Sequence, residues 1–283
     1  MAFDRRGFVI PEKLFGIIGY PLGHSLSPLI HNRAFAACSL PFVYLAWPGQ
    51  AEVLPQIMQS VRTLPISGLS VTIPHKESIL PLLDQVTLRA EKIGAVNTVF
   101  WDNKELWGEN TDCTGFMASL QEQGIKPATV LILGCGGAAL ACCRGLREMG
   151  INSIFVAGRD LNRLRSLERD QGITGVPWEQ RTDLRVELLV NATPLGMAGG
   201  RESRSPYPAQ KLDRCDLVFD LVYNPLQTRL LHEAAARGRG CISGVDMFVH
   251  QAAGQFRLWT GREFPTAEIR DLVLSCLSGG DPD

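Results

Sequence analysis

The chain of 283 residues has no apolar run approaching the ~20 residues that cross a bilayer. Its start, MAFDRRGFVIPEK, carries no long apolar stretch, so the reading expects neither a membrane segment nor a secretory signal. Charge of one sign is also missing. There are 28 Lys and Arg against 29 Asp and Glu, and without a basic excess nothing marks a nucleic-acid surface. The eight cysteines, at 38, 113, 135, 142, 143, 215, 241 and 276, form no CxxC pair and no histidine-interleaved spacing. They read as small buried apolar residues, not as disulfides or metal ligands, and no metal is expected. What remains is a cytoplasmic globular protein, 45% hydrophobic, long enough for two domains and suited to small-molecule partners.

The most informative stretch is VLILGCGGAALACCRGL, from Val130 to Leu146. An unbroken apolar run enters three glycines and then a small-residue helix, which is how a buried parallel strand presents a helix N-terminus to a phosphate. Gly134 permits the tight turn, Gly136 lets backbone approach a pyrophosphate, and Gly137-Ala138-Ala139 lets the helix pack closely on its strand. An ordinary strand-to-helix turn would look similar, so the rest of the chain must decide.

LFGIIGY (14–20) is a strand candidate, and Ser27-Pro28 reads as the N-cap and first turn of a helix. Ser25 and Ser27, beside unpaired backbone N–H groups, can also hold a carboxylate. FVYLAW (42–47) and GLSVTI (68–73) are further strands around the helical AEVLPQIMQSV, a pattern that predicts a parallel sheet. Thr72 is polar within an apolar run, and Lys76 follows just past the carboxyl end of that strand, where open sheets bind ligands. The bland alternative places Lys76 in the first turn of the next helix, a poor place for a cation. AVNTVFWDNKELWGENTD reads as two strands joined by a turn at Asp102-Asn103. Asn97 interrupts the first of them with an amide that needs partners, and Asp112 precedes the helix CTGFMASLQEQ as its N-cap.

SIFVAG (153–158) is the second strand of the nucleotide unit. Where an NAD enzyme carries an acid, this chain has Gly158 and then Arg159, with Arg163 four residues on, and two arginines suit a 2′-phosphate. Asp160 runs against that, as an NAD ribose ligand, unless it caps LNRLRSLERDQ. LRVELLVNATPLGM and DLVFDLVYNP repeat the strand-to-loop pattern, bringing Thr193 and Tyr223 to the sheet edge. In DMFVHQAAGQFRLWTG (246–261), Phe248, Ala252, Gln255 or Phe256, and Trp259 form the buried stripe, with Gln251 beside it. A final helix begins at Thr266, both closing helices are expected on the first domain, and the tail SGGDPD reads as frayed. None of the five histidines is assigned to catalysis.

GYPLGHSLSPLIHN, GLSVTIPHK, GAVNTV and GENTDCTGF follow in the order and approximate spacing of the substrate half of shikimate dehydrogenases. VLILGCGGAA, NATPLGM, DLVYNP and GVDMFVHQAA resemble the cofactor half and closing helix of that family. The resemblance implies a discontinuous α/β substrate domain, 1–112 plus 247–283, around a Rossmann-like doubly wound NADP-binding domain, 113–246, with a cleft between them. It implies reversible NADPH-dependent reduction of 3-dehydroshikimate to shikimate. By position, Ser25, Ser27 and Tyr223 would bind the substrate carboxylate, Thr72, Asn97 and Gln251 the ring hydroxyls, and Lys76 and Asp112 would form the catalytic pair. Gly134, Gly136, Gly137, Ala138, Arg159, Arg163, Thr193, Leu221, Gly244 and Met247 would hold the cofactor. The family pattern for NADP has Asn-Arg-Thr where this chain has Gly158-Arg159-Asp160, which leaves NAD possible. Three alternatives stay open: a quinate/shikimate dehydrogenase preferring NAD, a methylene-tetrahydrofolate dehydrogenase with a similar glycine loop, and a non-catalytic NADP-binding sensor. Ser25 and Ser27 argue against the second, Lys76 and Asp112 against the third. Monomer and homodimer are equally compatible with the sequence.

Overall fold

The computed structural model describes residues 11–279; the N-terminal stretch MAFDRRGFVI and the last four residues of the tail lie outside the described residues. In chain order the first part holds β1 (Lys13–Gly19), α1 (Ser27–Ala37), β2 (Phe42–Pro48), α2 (Leu54–Thr63), β3 (Ile66–Val71), β4 (Gln85–Val86), α3 (Leu88–Ile93), β5 (Thr98–Asp102) and β6 (Glu105–Glu109). There follow α4 (Thr111–Glu122), β7 (Thr129–Leu133), α5 (Gly137–Glu148), β8 (Ser153–Gly158), α6 (Leu161–Gln171), β9 (Thr174–Pro177), β10 (Val186–Asn191), β11 (Cys215–Asp220), α7 (Arg229–Ala235) and β12 (Gly240–Ile242). The closing helices are α8 (Gly244–Thr260) and α9 (Thr266–Leu277). Two compact units result. One runs to Thr111 and resumes over Gln251–Val273; the other takes Asp112–His250 and the residues from Leu274 onward.

In the first unit the strand order is β2-β1-β3-β5-β6-β4. β1 pairs in parallel with β2 on one side and β3 on the other, so the chain reverses its direction of travel across the sheet at β1. The carboxyl ends of β1 and β3 therefore form a topological switch point, where open α/β sheets bind ligands. β1, β2 and β3 are parallel as expected, and beyond them β5 runs antiparallel to β3 and forms the expected hairpin with β6. The hairpin has the two-residue loop Asn103-Lys104, one residue later than expected, with both φ angles positive (47° and 70°) as such turns demand.

Alternation along β1 separates two cores. Ile18 joins Leu69, Val71 and Val99 beneath Leu54, Met58 and Val61 of α2. Phe15, on the opposite face, meets Phe35 and Trp259 at ring-centroid distances of 5.4 and 5.1 Å. Burying a side chain of this size contributes roughly 1.5–3 kcal/mol. Trp259 also donates its indole N–H to the Val99 carbonyl at 3.0 Å, which fixes the second half of α8 on the sheet.

In the second unit the order β12-β11-β10-β7-β8-β9 is parallel throughout. Counting from β7, this is the doubly wound order of dinucleotide-binding sheets, with its switch point between β7 and β10. Leu131, Leu133, Leu189 and Val218 from its strands pack with Leu230, Leu231 and Ala234 of α7. All eight cysteines are free thiols, and Cys113, Cys142, Cys143 and Cys215 are buried as expected. Cys241 departs from the expectation, lying exposed on the edge strand β12.

Gly68 touches the Trp259 anchor directly: a Cβ there would stand 2.5 Å from the indole Nε1 and 3.0 Å from the Val99 carbonyl. Gly68→Ala is expected to lower stability by about 2–3 kcal/mol in urea titration, with red-shifted tryptophan fluorescence from the displaced indole. An unchanged midpoint would show that the anchor yields freely.

Candidate active site

Six of the singled-out residues belong to the first unit, and the loops carrying them are laced together at its switch point. Ser25 and Ser27 follow β1. The structure corrects the capping expectation: α1 begins at Ser27, Leu26 holds the cap position, and no side chain caps it. The Ser27 N–H meets Ser25 Oγ at 3.3 Å, and the Ser27 hydroxyl does not take the capping role expected of it.

β3 ends at Val71, which leaves Thr72 in the following turn. The Thr72 N–H donates to the Ile18 carbonyl at 3.0 Å and the Tyr20 N–H to the Ile73 carbonyl at 2.8 Å, tying that turn to the end of β1. Lys76 lies in a turn ahead of a short 3₁₀ segment, not in the first turn of an α-helix, and is half-buried. Its carbonyl accepts the Val96 N–H at 2.7 Å, which sets Lys76 against the residue preceding Asn97. The neighbouring His75 is fully buried, and its Nε2 donates to the Gly49 carbonyl at 2.8 Å. That is a packing role, whereas His24 is exposed.

Asn97 stands just before β5 rather than inside it. Its Oδ1 accepts the Thr111 N–H and the Thr98 hydroxyl, both at 2.7 Å. Its Nδ2 donates to Thr111 Oγ1 at 2.9 Å and to Gln251 Oε1 at 3.3 Å. The structure thus brings Asn97 and Gln251 together, 154 residues apart in sequence. It also corrects Asp112: because Asn97 satisfies the Thr111 N–H, α4 starts at Thr111 and Asp112 lies within the first turn. There the helix dipole favours a carboxylate, and Asp112 is buried. Thr111 is the residue that sequence reasoning missed, hidden by the reading of its neighbour as the cap. Hydroxyls, amides and one ammonium at a single sheet edge suit a ligand rich in hydroxyl groups that carries a carboxylate.

In the second unit Gly134 has φ +106°, and a Cβ there would lie 3.1 Å from the Ala192 carbonyl oxygen. Only glycine allows β7 and β10 to approach so closely at their carboxyl ends. Gly136 caps α5, Gly137 opens it and Ala138 follows; a Cβ on Gly136 would meet no atom within 4 Å. What that glycine keeps clear is the space over a helix N-terminus, and a pyrophosphate fits there. Asp160 Oδ1 accepts the backbone N–H groups of Asn162 and Arg163, each at 3.0 Å, so it is the N-cap of α6. Arg159 is exposed beside it, and Arg163 turns its Nε to the Cys135 carbonyl of the glycine loop at 3.4 Å. Tyr223 stacks on Phe248 with centroids 4.1 Å apart. Leu221 abuts Gly244, where a Cβ would be 2.5 Å from the Leu221 carbonyl oxygen, and Met247 is buried one turn into α8. That helix begins two residues earlier than its expected start.

Residues 17–99 match the shikimate dehydrogenase substrate-binding domain, and residues 244–274 match the shikimate 5'-dehydrogenase C-terminal domain. The chain is 46% identical to the NADP(+) shikimate dehydrogenase of Maridesulfovibrio salexigens, over 94% of this chain and 98% of that one. It is 47% identical to the counterpart from Oleidesulfovibrio alaskensis, over 96% and 98%. The chain belongs to the shikimate dehydrogenase family. A crystal structure of shikimate 5-dehydrogenase from Thermus thermophilus in complex with NADP(H) and shikimate superposes with a TM-score of 0.84 at 38% identity, covering 94% of this chain and all of that one.

Within this family member the loop after β10 is held from below by a buried carboxylate. Asn191 Oδ1 accepts the Thr193 N–H at 3.0 Å and the Thr193 hydroxyl at 2.7 Å, and Asn191 Nδ2 donates to Asp220 Oδ1 at 2.8 Å. Asp220 also accepts the Thr228 hydroxyl at 2.6 Å and the Val222 N–H at 3.0 Å. Burial raises its carboxyl to about 6 despite these donors. The Asn191 side chain, which also donates to the Leu195 carbonyl at 3.1 Å, is given to loop construction. Asp220 went unnoticed, although an acid closing an apolar strand was a usable signal.

The folded protein binds the Asp220 proton more tightly than the unfolded chain does, so this contribution to stability is fully present at acid pH and lost as pH rises through about 6. In urea titrations the stability difference between wild type and Asp220→Asn is expected to move toward wild type by about 2 kcal/mol from about pH 8 to about pH 4. A difference independent of pH would show that this carboxyl is not perturbed.

Proposed function

We propose that this chain is a shikimate dehydrogenase, reducing 3-dehydroshikimate to shikimate with NADPH and running reversibly, on the route to chorismate and the aromatic amino acids. The observation that carries the reading is the set of Ser25, Ser27, Thr72, Lys76, Asn97 and Gln251 at one sheet edge, in a chain nearly half identical to NADP(+) shikimate dehydrogenases. In this reading Ser25, Ser27 and Tyr223 bind the carboxylate of the substrate, and Thr72, Asn97 and Gln251 bind its ring hydroxyls. Asn97 can donate only where Nδ2 points, and its bonds to Thr111 fix that direction before any ligand arrives.

When bound, NADP supplies or accepts the hydride. As the carbonyl carbon is reduced, negative charge develops on its oxygen; the Lys76 ammonium stabilises that charge and delivers the proton. Asp112 is the second member of the pair; in the oxidative direction the two share the task of removing the hydroxyl proton. Gly134, Gly136, Gly137 and Ala138 hold the pyrophosphate, Arg159 and Arg163 the 2′-phosphate, and Thr193, Leu221, Gly244 and Met247 the nicotinamide half. Asp160 speaks for NADP rather than NAD, because its carboxylate is engaged by two helix N–H groups. The substrate domain comprises 1–112 and 247–283, the cofactor domain 113–246. The enzyme works in the cytoplasm, as a monomer or homodimer.

Two variants separate chemistry from cofactor choice. Lys76→Ala is expected to lower kcat at least about hundred-fold while the KM for shikimate changes little, measured by formation of reduced cofactor. Near-normal turnover would remove Lys76 from the mechanism. Arg159→Ala is expected to raise the KM for NADP about ten-fold and leave that for NAD unchanged. Equal effects on both cofactors would take the 2′-phosphate away from this arginine.

A further inference from the structure

Beneath Asn97 and Gln251 lies a buried polar chain that the reaction itself does not use. Gln255, one helical turn beyond Gln251 on α8, is 2% exposed, and His31 and Tyr44 are sealed from solvent as well. Gln255 Nε2 donates to the Asn97 carbonyl at 3.1 Å. Its Oε1 accepts the Ser70 hydroxyl at 2.8 Å and His31 Nε2 at 3.2 Å, and Ser70 in turn accepts the Tyr44 hydroxyl at 2.6 Å. An amide oxygen can only accept, so His31 carries its proton on Nε2. Burial pulls His31 down to about 3, which keeps the ring neutral, and Tyr44 stacks flat on it with centroids 4.6 Å apart. The amide of Gln255 therefore has one orientation: turning it over would set its NH2 against two donors and its oxygen against a carbonyl.

That orientation has a consequence for the site. Cβ directions recur every three to four residues on a helix, so the residue that fixes α8 at position 255 also fixes the rise and rotation at which position 251 is presented. The same amide grips the backbone of Asn97, whose side chain meets Gln251 on the other side. We infer that Gln255, oriented by Ser70 and His31, is a positioning residue for substrate binding, setting Asn97 and Gln251 in register without touching the substrate. The inference rests on the shikimate reading above.

The test compares Gln255→Met, which keeps volume and loses the amide, with Ser70→Ala, which removes one donor and perturbs packing less. KM and kcat for shikimate, KM for NADP and the thermal midpoint are measured for each. Gln255→Met is expected to raise the KM for shikimate about ten-fold with the KM for NADP unchanged, and Ser70→Ala to do the same about three-fold in a protein that melts close to wild type. A merely structural role would instead lower the amount of active enzyme and leave the KM for shikimate where it was. An active wild type whose KM for shikimate is unmoved in both variants overturns this inference alone; a wild type that turns over no shikimate overturns the functional reading and this inference with it.

Discussion

The first unit depends on one asparagine. Asn97 lends its carbonyl to the Val71 N–H at 2.8 Å and to Gln255, and its side chain to Thr98, Thr111 and Gln251. Strand β3, the start of β5, the first residue of α4 and the second half of α8 all meet on this one residue. A buried amide left with donors or acceptors unmatched costs about 1–3 kcal/mol per group, so each of those segments is held to one placement. The polar edge is held in place for the same reason that the unit is folded: the groups that line it are the groups that close the core.

The second unit obeys a different constraint, close backbone approach. At Gly134 and Gly244 neighbouring carbonyls occupy the place of a side chain, and at Gly136 nothing does. The first two glycines let elements pack; the third leaves room above a helix end. The Asn191–Asp220–Thr228 bonds then carry the loop after β10 on a buried base, leaving Thr193 at its half-buried surface. Here the polar interior supports a loop, whereas in the first unit it supports side chains.

Most strands and helices were legible because each obeys a single period. β8 and α6 fall on SIFVAG and LNRLRSLERDQ as read, since an apolar run and an i, i+3 leucine pattern admit little else. The errors cluster where a side chain from afar takes over a local job. Ser27 and Asp112 both looked like caps, yet Leu26 occupies one cap position and Asn97 satisfies the N–H at the other. Local propensity cannot register an acceptor fourteen residues upstream. The hairpin of β5 and β6 was visible, but not its effect on the sheet, because the sense of a strand depends on which neighbour it meets. Gln255 shared one position of the buried stripe with Phe256 as alternatives; that its amide is fully engaged there only coordinates reveal.

Asp160 carries one last implication. Its carboxylate is the fastening of a helix and, at the same moment, stands next in sequence to Arg159, which is proposed to recognise a phosphate. In the proposed reading, selectivity between two nicotinamide cofactors and the integrity of α6 therefore meet in a single side chain. Any redesign of cofactor choice at that position must keep an oxygen that can receive two amide protons: serine, threonine and asparagine qualify, while alanine would trade a change of preference for a loosened helix.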